Sequence, residues 1–390
     1  IDTGLAASIE IVSGDAGVAI VGGNAYDSGD LVVLVRDVAG NPVAGASVAF
    51  NVIAGANGAG ASLTSPAATD ASGETRVSAS SNAVAGAFEV SAKLSSGVEL
   101  AVPFGLLTTA DAALTQVQLA MVSGNGQTAQ VGTPYGMPLV ASVSDRFGNP
   151  LEGIAVDFAA LDPGAGISPN LLSGTSGPDG LASSGVITAN VTAGAFIATA
   201  MIDAAQCDAT APSVAICAVD YGLTNTAGGA ASVTLASSAP DAVVGSAGAY
   251  TLTATVRDAN SNLVEGVSVT LVGPNSGAGI APALAAGITT AAGEVSYTFD
   301  ANTVAGTFPV QAVVSGAASA NVALENLPGS AASIELVSGT NQAVPVNTAF
   351  SDLTVRVIAQ YGNAVADDAA AMVRFTAPGS GASAAVTATA

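Results

Sequence analysis

The stretch Arg36–Phe50, with the sequence RDVAGNPVAGASVAF, decides the fold. A predicted strand, Leu31–Val35, leads into the polar turn Asp-x-x-Gly-Asn-Pro, and an alternating segment follows the turn. The same order returns at Val143–Phe158 and Thr255–Val269, and a less similar copy lies at Val355–Val365. The asparagines of successive turns are 108, 113 and 101 residues apart. A repeat of roughly 100 residues has the size of a domain, so we expect a series of similar domains.

Other segments repeat in step with this turn. Each copy begins with an alternating segment such as Ser8–Gly14 and contains a second turn such as Thr69–Glu74. Each complete copy ends in a hairpin that opens with Ala-Gly-x-Phe, as at Ala85–Phe88. Alternation of apolar and polar residues is typical of strands with one face in a core and one in water. Seven or eight such strands per copy predict antiparallel β-sandwiches and almost no helix.

The repeat also predicts domain boundaries. Residues 1–8 look like a linker from a preceding domain. Domain 1 is then expected at 9–110, domain 2 at 114–227, domain 3 at 231–328 and an incomplete domain 4 at 332–390. Short connections between these domains predict an extended rod. Domain 4 lacks the second turn and the last hairpin, which favours either a window from a longer array or completion by a strand of a neighbouring chain.

The combination and order of these motifs resemble the bacterial Ig-like domain of group one, which is found in invasin and intimin. The resemblance covers the three complete repeats and the front of the fourth. Domain 3 departs from the pattern with Asn260–Asn262 in its turn and no Pro there, and domain 4 also lacks the Pro. The resemblance implies tandem Ig-like sandwiches, an extracellular or cell-surface location and a part in a large adhesin.

Composition restricts the possible functions. The chain has 29 acidic and 7 basic residues, a net charge of −22, which argues against nucleic acid as a partner. It contains no His, the usual general base and metal ligand, and only 4% of its residues are aromatic. No apolar run is long enough for a membrane span. We therefore expect no enzymatic activity and no cofactor.

Two cysteines occur in a segment that the other repeats lack. Cys207 and Cys217 have nine residues between them. A local disulfide in an oxidising compartment is the favoured interpretation, and two free thiols or half of a metal site are the alternatives. In the disulfide interpretation the bond closes a long hairpin loop of domain 2.

Calcium is the one metal that the acidic composition suggests, since Ca²⁺ prefers clustered carboxylate and carbonyl oxygens. The weak candidates are the turn aspartates Asp37, Asp145 and Asp258 and the adjacent pair Asp367 and Asp368. Asp is also an ordinary turn residue, and this structural interpretation is favoured at all five positions. Asn190–Thr192 is a single glycosylation sequon, and whether it is used depends on the host.

The sequence thus favours a non-enzymatic stalk of a bacterial surface adhesin or fibre, in contact with neighbouring Ig-like domains. A host receptor or glycan would be bound by a tip elsewhere. The alternative is the subunit of an extracellular filament, polymerised when a neighbour's strand completes domain 4. A third hypothesis, a binding module within the array, would use the cysteine loop of domain 2.

Overall fold

The computed structural model describes residues 4–113, 117–161, 163–202, 216–366 and 372–386. Within these ranges the chain forms twenty-eight β-strands and no helix, so the all-β prediction is confirmed. The chain divides into two compact units, Ile1–Thr226 and Ala227–Ala390, and each is described by itself.

The first sandwich is built from nine strands. They are β1 (Ala6–Ser13), β2 (Val18–Ile20), β3 (Leu31–Asp37), β4 (Val48–Ile53), β5 (Ala61–Leu63), β6 (Glu74–Val77), β7 (Ala79–Ser81), β8 (Gly86–Leu94) and β9 (Phe104–Thr109). One sheet has the order β1-β3-β6, the facing sheet has the order β2-β9-β8-β4, and β5 pairs with β7. Alternate residues of β3, β8 and β9, among them Leu31, Val90 and Phe104, form the buried core between the sheets.

The second sandwich repeats this plan in the same unit. Its strands are β10 (Gln118–Ser123), β11 (Thr128–Gln130), β12 (Val140–Ser144), β13 (Ala155–Ala159), β14 (Leu171–Thr175), β15 (Leu181–Ser183), β16 (Gly194–Met201) and β17 (Ala218–Thr226). The sheets have the orders β10-β12-β15 and β11-β17-β16-β13-β14. Tyr221 and Phe158 are the largest fully buried side chains of this core, and Leu119, Leu139 and Ile187 pack with them.

The third sandwich opens the second unit, and the fourth repeat follows it. The strands are β18 (Ser232–Ser237), β19 (Asp241–Val243), β20 (Tyr250–Arg257), β21 (Ser268–Val272), β22 (Ile280–Ala281), β23 (Leu284–Ile288), β24 (Glu294–Ala301), β25 (Gly306–Val314), β26 (Ala320–Leu327), β27 (Ala331–Ser338) and β28 (Thr354–Ala359). The third sandwich has sheets β18-β20-β24-β22 and β19-β26-β25-β21-β23, and β27 pairs with β28.

One strand pair in each of the three sandwiches is parallel. The pairs are β2 with β9, β11 with β17 and β19 with β26, and all other named pairs are antiparallel. In each of these sandwiches the first strand lies in one sheet and the second strand in the facing sheet, as β1 and β2 do, so the chain crosses between the sheets after its first strand. In the first sandwich the crossing begins at Gly14, which has a φ of +97° and lies so close to Asp30 that a Cβ would be 2.4 Å from the Asp30 carbonyl oxygen. Alternation alone does not indicate this crossing.

The strands extend slightly into segments expected to be linkers. β1 begins at Ala6, inside the predicted linker 1–8, and β27 begins at Ala331, one residue before the predicted start of domain 4. The joining segments are therefore short. Between the last strand of one repeat and the first strand of the next there are eight residues after β9, five after β17 and three after β26.

Candidate functional site at the domain junctions

The turn that organises the sequence is built around a buried aspartate. In the second sandwich Asp145 follows β12 and has no exposed surface. Its Oδ1 accepts hydrogen bonds from the backbone N–H groups of Phe147 and Asn149, both at 2.9 Å. In such an Asx turn the side-chain carboxylate takes the place of a backbone acceptor and holds the turn closed.

The other oxygen of Asp145 holds the segment that joins the two sandwiches. Its Oδ2 accepts a hydrogen bond from the backbone N–H of Asp111 at 3.1 Å and from Nδ2 of Asn149 at 2.9 Å. Asp111 lies between β9 and β10. The buried carboxylate therefore fastens the joining segment to the turn.

The same contacts recur at Asp37 and Asp258. The backbone donors are Gly4, Ala39 and Asn41 at 3.2, 2.9 and 2.9 Å for Asp37, and Gly228, Asn260 and Asn262 at 2.8, 2.8 and 2.9 Å for Asp258. Hydrogen bonds, above all that from the Asn41 N–H, hold the pKa of Asp37 below its usual value. Burial acts to raise the pKa of Asp258, but the hydrogen bonds from Asn262 and Gly228 outweigh it and the pKa is lowered. Both carboxylates are therefore ionised at neutral pH.

These contacts bear on the calcium candidates. Both oxygens of Asp37, Asp145 and Asp258 already accept hydrogen bonds from amide groups, and no three His, Cys, Asp or Glu side chains of the described ranges lie together as a metal site would require. Asp367 and Asp368 lie outside the described residues. Calcium binding stays the weak alternative at these positions, and the hydrogen bonds of the three aspartates agree with the favoured interpretation as turn residues.

The asparagine of the turn reaches the preceding sandwich. Asn149 is buried, and its Nδ2 donates a hydrogen bond to the carbonyl oxygen of Ala83 at 2.9 Å. Its Oδ1 accepts a hydrogen bond from the N–H of Ala85 at 2.8 Å. Ala83 and Ala85 lie in the turn before β8 of the first sandwich. Both halves of the amide are thus used across the junction, which fixes the direction of the contact as well as its position.

The second unit repeats this arrangement. Nδ2 of Asn363 donates to the carbonyl oxygen of Thr303 at 2.9 Å, and its Oδ1 accepts from the N–H of Ala305 at 2.8 Å. Thr303 and Ala305 occupy the positions before β25 that Ala83 and Ala85 occupy before β8. The same two hydrogen bonds therefore connect consecutive repeats in both units.

An aromatic side chain two residues before each of these asparagines packs against a glycine of the preceding sandwich. A Cβ at Gly22 would lie 2.9 Å from Cζ of Phe147, and a Cβ at Gly245 would lie 2.8 Å from Oη of Tyr361. Both glycines also have positive φ, +99° and +76°. The guanidinium of Arg146 lies 4.5 Å from the centre of the Phe147 ring and covers it. Each junction thus combines a directional amide contact with an aromatic contact that leaves no room for a side chain at the glycine.

Sequence reasoning identified the Asp and Asn positions as turn residues and missed their role between domains. A signal was available, since Asn returns at the same turn position in all four copies although Pro after it does not. The aromatic partner is less regular. Ala39 and Asn260 stand where Phe147 and Tyr361 stand in the other two turns, so this contact could not be read from the repeat.

The remaining candidates lie in the second sandwich. Cys217 packs against the edge of its core, while Cys207 lies in 203–215, outside the described residues, so the disulfide stays a prediction. Asn190 of the sequon uses its amide internally, since Nδ2 donates to the carbonyl oxygen of Gly164 at 2.7 Å and Oδ1 accepts from Nδ2 of Asn225 at 3.0 Å. A glycan on Nδ2 would disturb that loop.

Comparison with known proteins adds likeness in fold. No family model and no curated protein sequence matches the chain. Among solved structures, FdeC, an adhesin of Escherichia coli, is similar with a TM-score of 0.49 and 20% identity, covering 84% of this chain and 99% of FdeC. InvD of Yersinia pseudotuberculosis is similar with a TM-score of 0.45 and 14% identity, covering 81% and 97%. Invasin, a bacterial integrin-binding protein, is similar with a TM-score of 0.40 and 20% identity, covering 85% and 62%.

Invasin, whose domain family the sequence motifs resemble, is one of these three structures. Across the stretches that the structure describes, no helix is long and apolar enough to pass through a membrane.

Proposed function

We propose that the chain is a non-enzymatic stalk segment of a bacterial cell-surface adhesin, in which the two repeats of each unit hold one another in a fixed orientation. The observation that carries the proposal is the pair of amide hydrogen bonds made by Asn149 and again by Asn363 across consecutive repeats. A spacer transmits position only if its joints resist bending, and a bidentate contact to two backbone groups supplies that resistance.

Three features support the stalk over a ligand-binding array. The turn asparagine recurs in all four copies, and at Asn149 and Asn363 it contacts the preceding repeat. The acidic composition keeps parallel chains apart and soluble. The cores are filled by their own aliphatic and aromatic side chains, as in a load-carrying scaffold. A receptor or glycan contact would belong to another part of the protein, in keeping with an extracellular location.

The junction contacts can be tested in the whole chain. Spin labels on non-natural amino acids at the exposed Ser96 and Ser173 report the distance between the first two sandwiches without using the native cysteines. Wild type is expected to give one narrow distance distribution. Phe147→Ala with Asn149→Ala should broaden it severalfold, because both junction contacts are lost while the sandwich cores are untouched.

Asn41→Ala is the matched control. Asn41 has the same place in its turn, and its Nδ2 donates to the carboxylate of Asp37 in that turn, at 3.2 Å to Oδ2 and 3.4 Å to Oδ1. This variant should leave the distance distribution narrow. A broad distribution in wild type, or equal broadening by the control, would contradict the stalk proposal.

The filament alternative stays a prediction. It depends on the completion of the fourth repeat, and residues 367–371 and 387–390 of that repeat lie outside the described ranges.

A further inference from the structure

The second and third sandwiches cover one sheet edge with a strand that the first sandwich does not place there. β14 pairs with β13, and β23 pairs with β21, which gives each of these sheets five strands. In the first sandwich β4 is the counterpart of β13 and β21, but its sheet has four strands and β4 ends it. β5 pairs with β7, as its counterpart β22 pairs with β24, and in the first sandwich no strand between β5 and β6 returns to β4. Among the described residues no strand covers the outer edge of β4.

The three edges begin in the same way. In the first sandwich the N–H of Gly45 donates to the Thr69 carbonyl at 2.8 Å, and the N–H of Thr69 donates to the Ala46 carbonyl at 3.0 Å. The equivalent bonds join Gly153 and Ile154 to Ser176, and Gly266 and Val267 to Thr289, at 2.8 to 3.0 Å. The five residues before Ser176 and Thr289 are β14 and β23. The five before Thr69, residues 64–68, form no strand.

The residues at 66 and 67 explain part of this difference. Counting back from Thr69, Ala67 stands where the other sandwiches have Gly174 and Gly287. A Cβ at Gly174 would lie 2.2 Å from the Ser183 carbonyl oxygen, and one at Gly287 would lie 2.2 Å from Oη of Tyr297. The backbone beside Gly174 therefore leaves no room for a Cβ there, while a Cβ at Gly287 would require the Tyr297 side chain to move. Pro66, next to Ala67, also fixes φ near −65°, far from the antiparallel value of about −140°.

Hydrogen bonds hold residues 64–67 on the opposite sheet. The buried hydroxyl of Thr75 donates to the Ala67 carbonyl at 2.7 Å. Thr64 and Ser78 exchange two hydrogen bonds at 2.9 and 3.0 Å. The counterparts of Thr75 are Ala182 and Val295, which have no hydroxyl group. The first sandwich thus carries specific contacts that keep its own chain away from β4.

The edge that results is apolar and offers backbone partners. Phe158 and Leu271 are fully buried, whereas their counterpart Phe50 is only half-buried. The carbonyl of Ser47 accepts a hydrogen bond from Ser95 in the strand region beside it, at 3.4 Å. Because successive residues of an antiparallel strand alternate in direction, the N–H and C=O groups of Val48, Phe50 and Val52 then point away from β8, toward the open edge.

We propose that Val48–Val52 is a binding site for an extended, uncharged peptide segment of a partner protein, which adds to the sheet as its fifth strand. Strand addition draws affinity from main-chain hydrogen bonds and specificity from alternate side chains. β4, β14 and β23 contain no charged residue, and Leu172 and Ala285, the second residues of the covering strands, pack against their cores. The ligand therefore carries an apolar residue that faces Phe50.

Charge selects a peptide over a second copy of the chain. Each copy has a net charge of −22, so pairing of two β4 edges brings two strongly acidic proteins together. An uncharged segment meets no such repulsion. The site is separate from the Asn149 and Asn363 contacts, so its test does not depend on the stalk proposal.

A synthetic peptide with the sequence of residues 170–176, which contains β14, is the probe, and the full 390-residue protein is the target. Amide exchange of Val48, Phe50 and Val52 is expected to slow by at least about tenfold on peptide binding. N-methylation at the peptide positions of Leu172 and Gly174, which face the sheet in the second sandwich, should weaken binding by about tenfold or more. N-methylation at the positions of Leu171 and Ser173 should leave it within about twofold, since those amides point away.

Two sets of variants test the site from the protein side. Pro66→Ser with Ala67→Gly and Thr75→Ala allows the protein's own segment to close the edge, so peptide binding should be lost while the β4 amides exchange slowly without peptide. Ala49→Lys should weaken binding by about tenfold, and Thr270→Lys, at the matching place on the covered β21, should not.

The proposal is overturned by any of three results. One is no binding of the peptide at concentrations up to about 1 mM, which corresponds to about −4 kcal/mol. Another is equal weakening by both N-methylation patterns. The third is protection of the β4 amides that rises with protein concentration without peptide and accompanies a dimer in sedimentation, which would assign the edge to a second copy.

Discussion

The first sandwich and the second share sequence motifs, turns and strand order, yet they close differently. In the second sandwich β14 covers the sheet edge and Phe158 is fully buried, whereas in the first sandwich β4 is uncovered and Phe50 is half-buried. The difference comes from a few side chains, above all Ala67 and Thr75. The hydrogen bonds at the start of the edge, such as that from Gly45 to Thr69, are equivalent in both sandwiches. Similar repeats can therefore have different surfaces while they keep one core plan.

A second difference lies at one matching position in the last strand of each sandwich, Thr108 in β9 and Asn225 in β17. Thr108 bonds Tyr26 through one hydroxyl contact at 2.7 Å in the first sandwich. Asn225 occupies the same place in the second, where its Oδ1 accepts from Tyr135 at 2.5 Å and its Nδ2 bonds the carbonyl oxygens of Gly166 and Thr192 at 2.9 and 3.1 Å, besides Oδ1 of Asn190. Asn225 therefore hydrogen-bonds groups on several loops, whereas Thr108 hydrogen-bonds the side chain of Tyr26.

The largest expected effect comes from the core position beside the edge. Phe158→Ala removes a fully buried ring and should cost the second sandwich about 3–5 kcal/mol of stability. Phe50→Ala should cost the first sandwich only about 1–2 kcal/mol, because part of that ring is already in water. Domain-resolved hydrogen exchange of β8 and β16 amides measures both values in the full chain. Equal losses would show that the β4 edge is covered in solution.

A smaller effect is expected at the loop-binding position. Asn225→Ala leaves the Tyr135 hydroxyl and two loop carbonyls without their partner, so we expect a loss of about 1–3 kcal/mol. Thr108→Val replaces one hydroxyl with a methyl group of similar volume, and this should lower the stability of the first sandwich by about 1 kcal/mol. Urea unfolding followed by amide exchange in each sandwich separates the two. If Thr108→Val cost as much as Asn225→Ala, the contrast between one contact and several would be wrong.

Much of this fold could be predicted because the forces that specify it are local and periodic. The apolar run Leu31–Val35 and the polar turn after it predict a strand that ends in a hairpin. The crossing at Gly14 could not be predicted in the same way, since it depends on the close approach of Asp30. The path of residues 64–68 depends on whether a Cβ fits against the next strand along the chain, a packing detail that the periodic pattern does not contain.

The junction site shows the same limit. A turn asparagine satisfies a local rule, so nothing in its own neighbourhood indicates that Asn149 bonds Ala83 and Ala85, more than sixty residues earlier. Its recurrence in every copy was the available signal. Phe147 lacked even that signal, because its partner Gly22 resembles the many other glycines of turns in this chain.

The smallest effect compares the two sandwiches at high pH. Burial raises the pKa of Tyr135 and that of Tyr221 to about 12, from the usual value of 10.0. Burial also raises the pKa of Tyr26, and its hydrogen bond with Thr108 offsets part of the increase.

A raised folded-state pKa gives stability that is complete below pH 10 and is lost as the pH rises from about 10 to about 12. Near pH 11 the second sandwich should lose on the order of 1 kcal/mol per tyrosine, and the first sandwich less. Tyrosinate absorbance together with thermal unfolding measures this in wild type, and Tyr135→Phe is the control that should remove about half of the loss in the second sandwich, because Tyr221 remains. A larger loss of stability in the first sandwich than in the second would contradict this prediction.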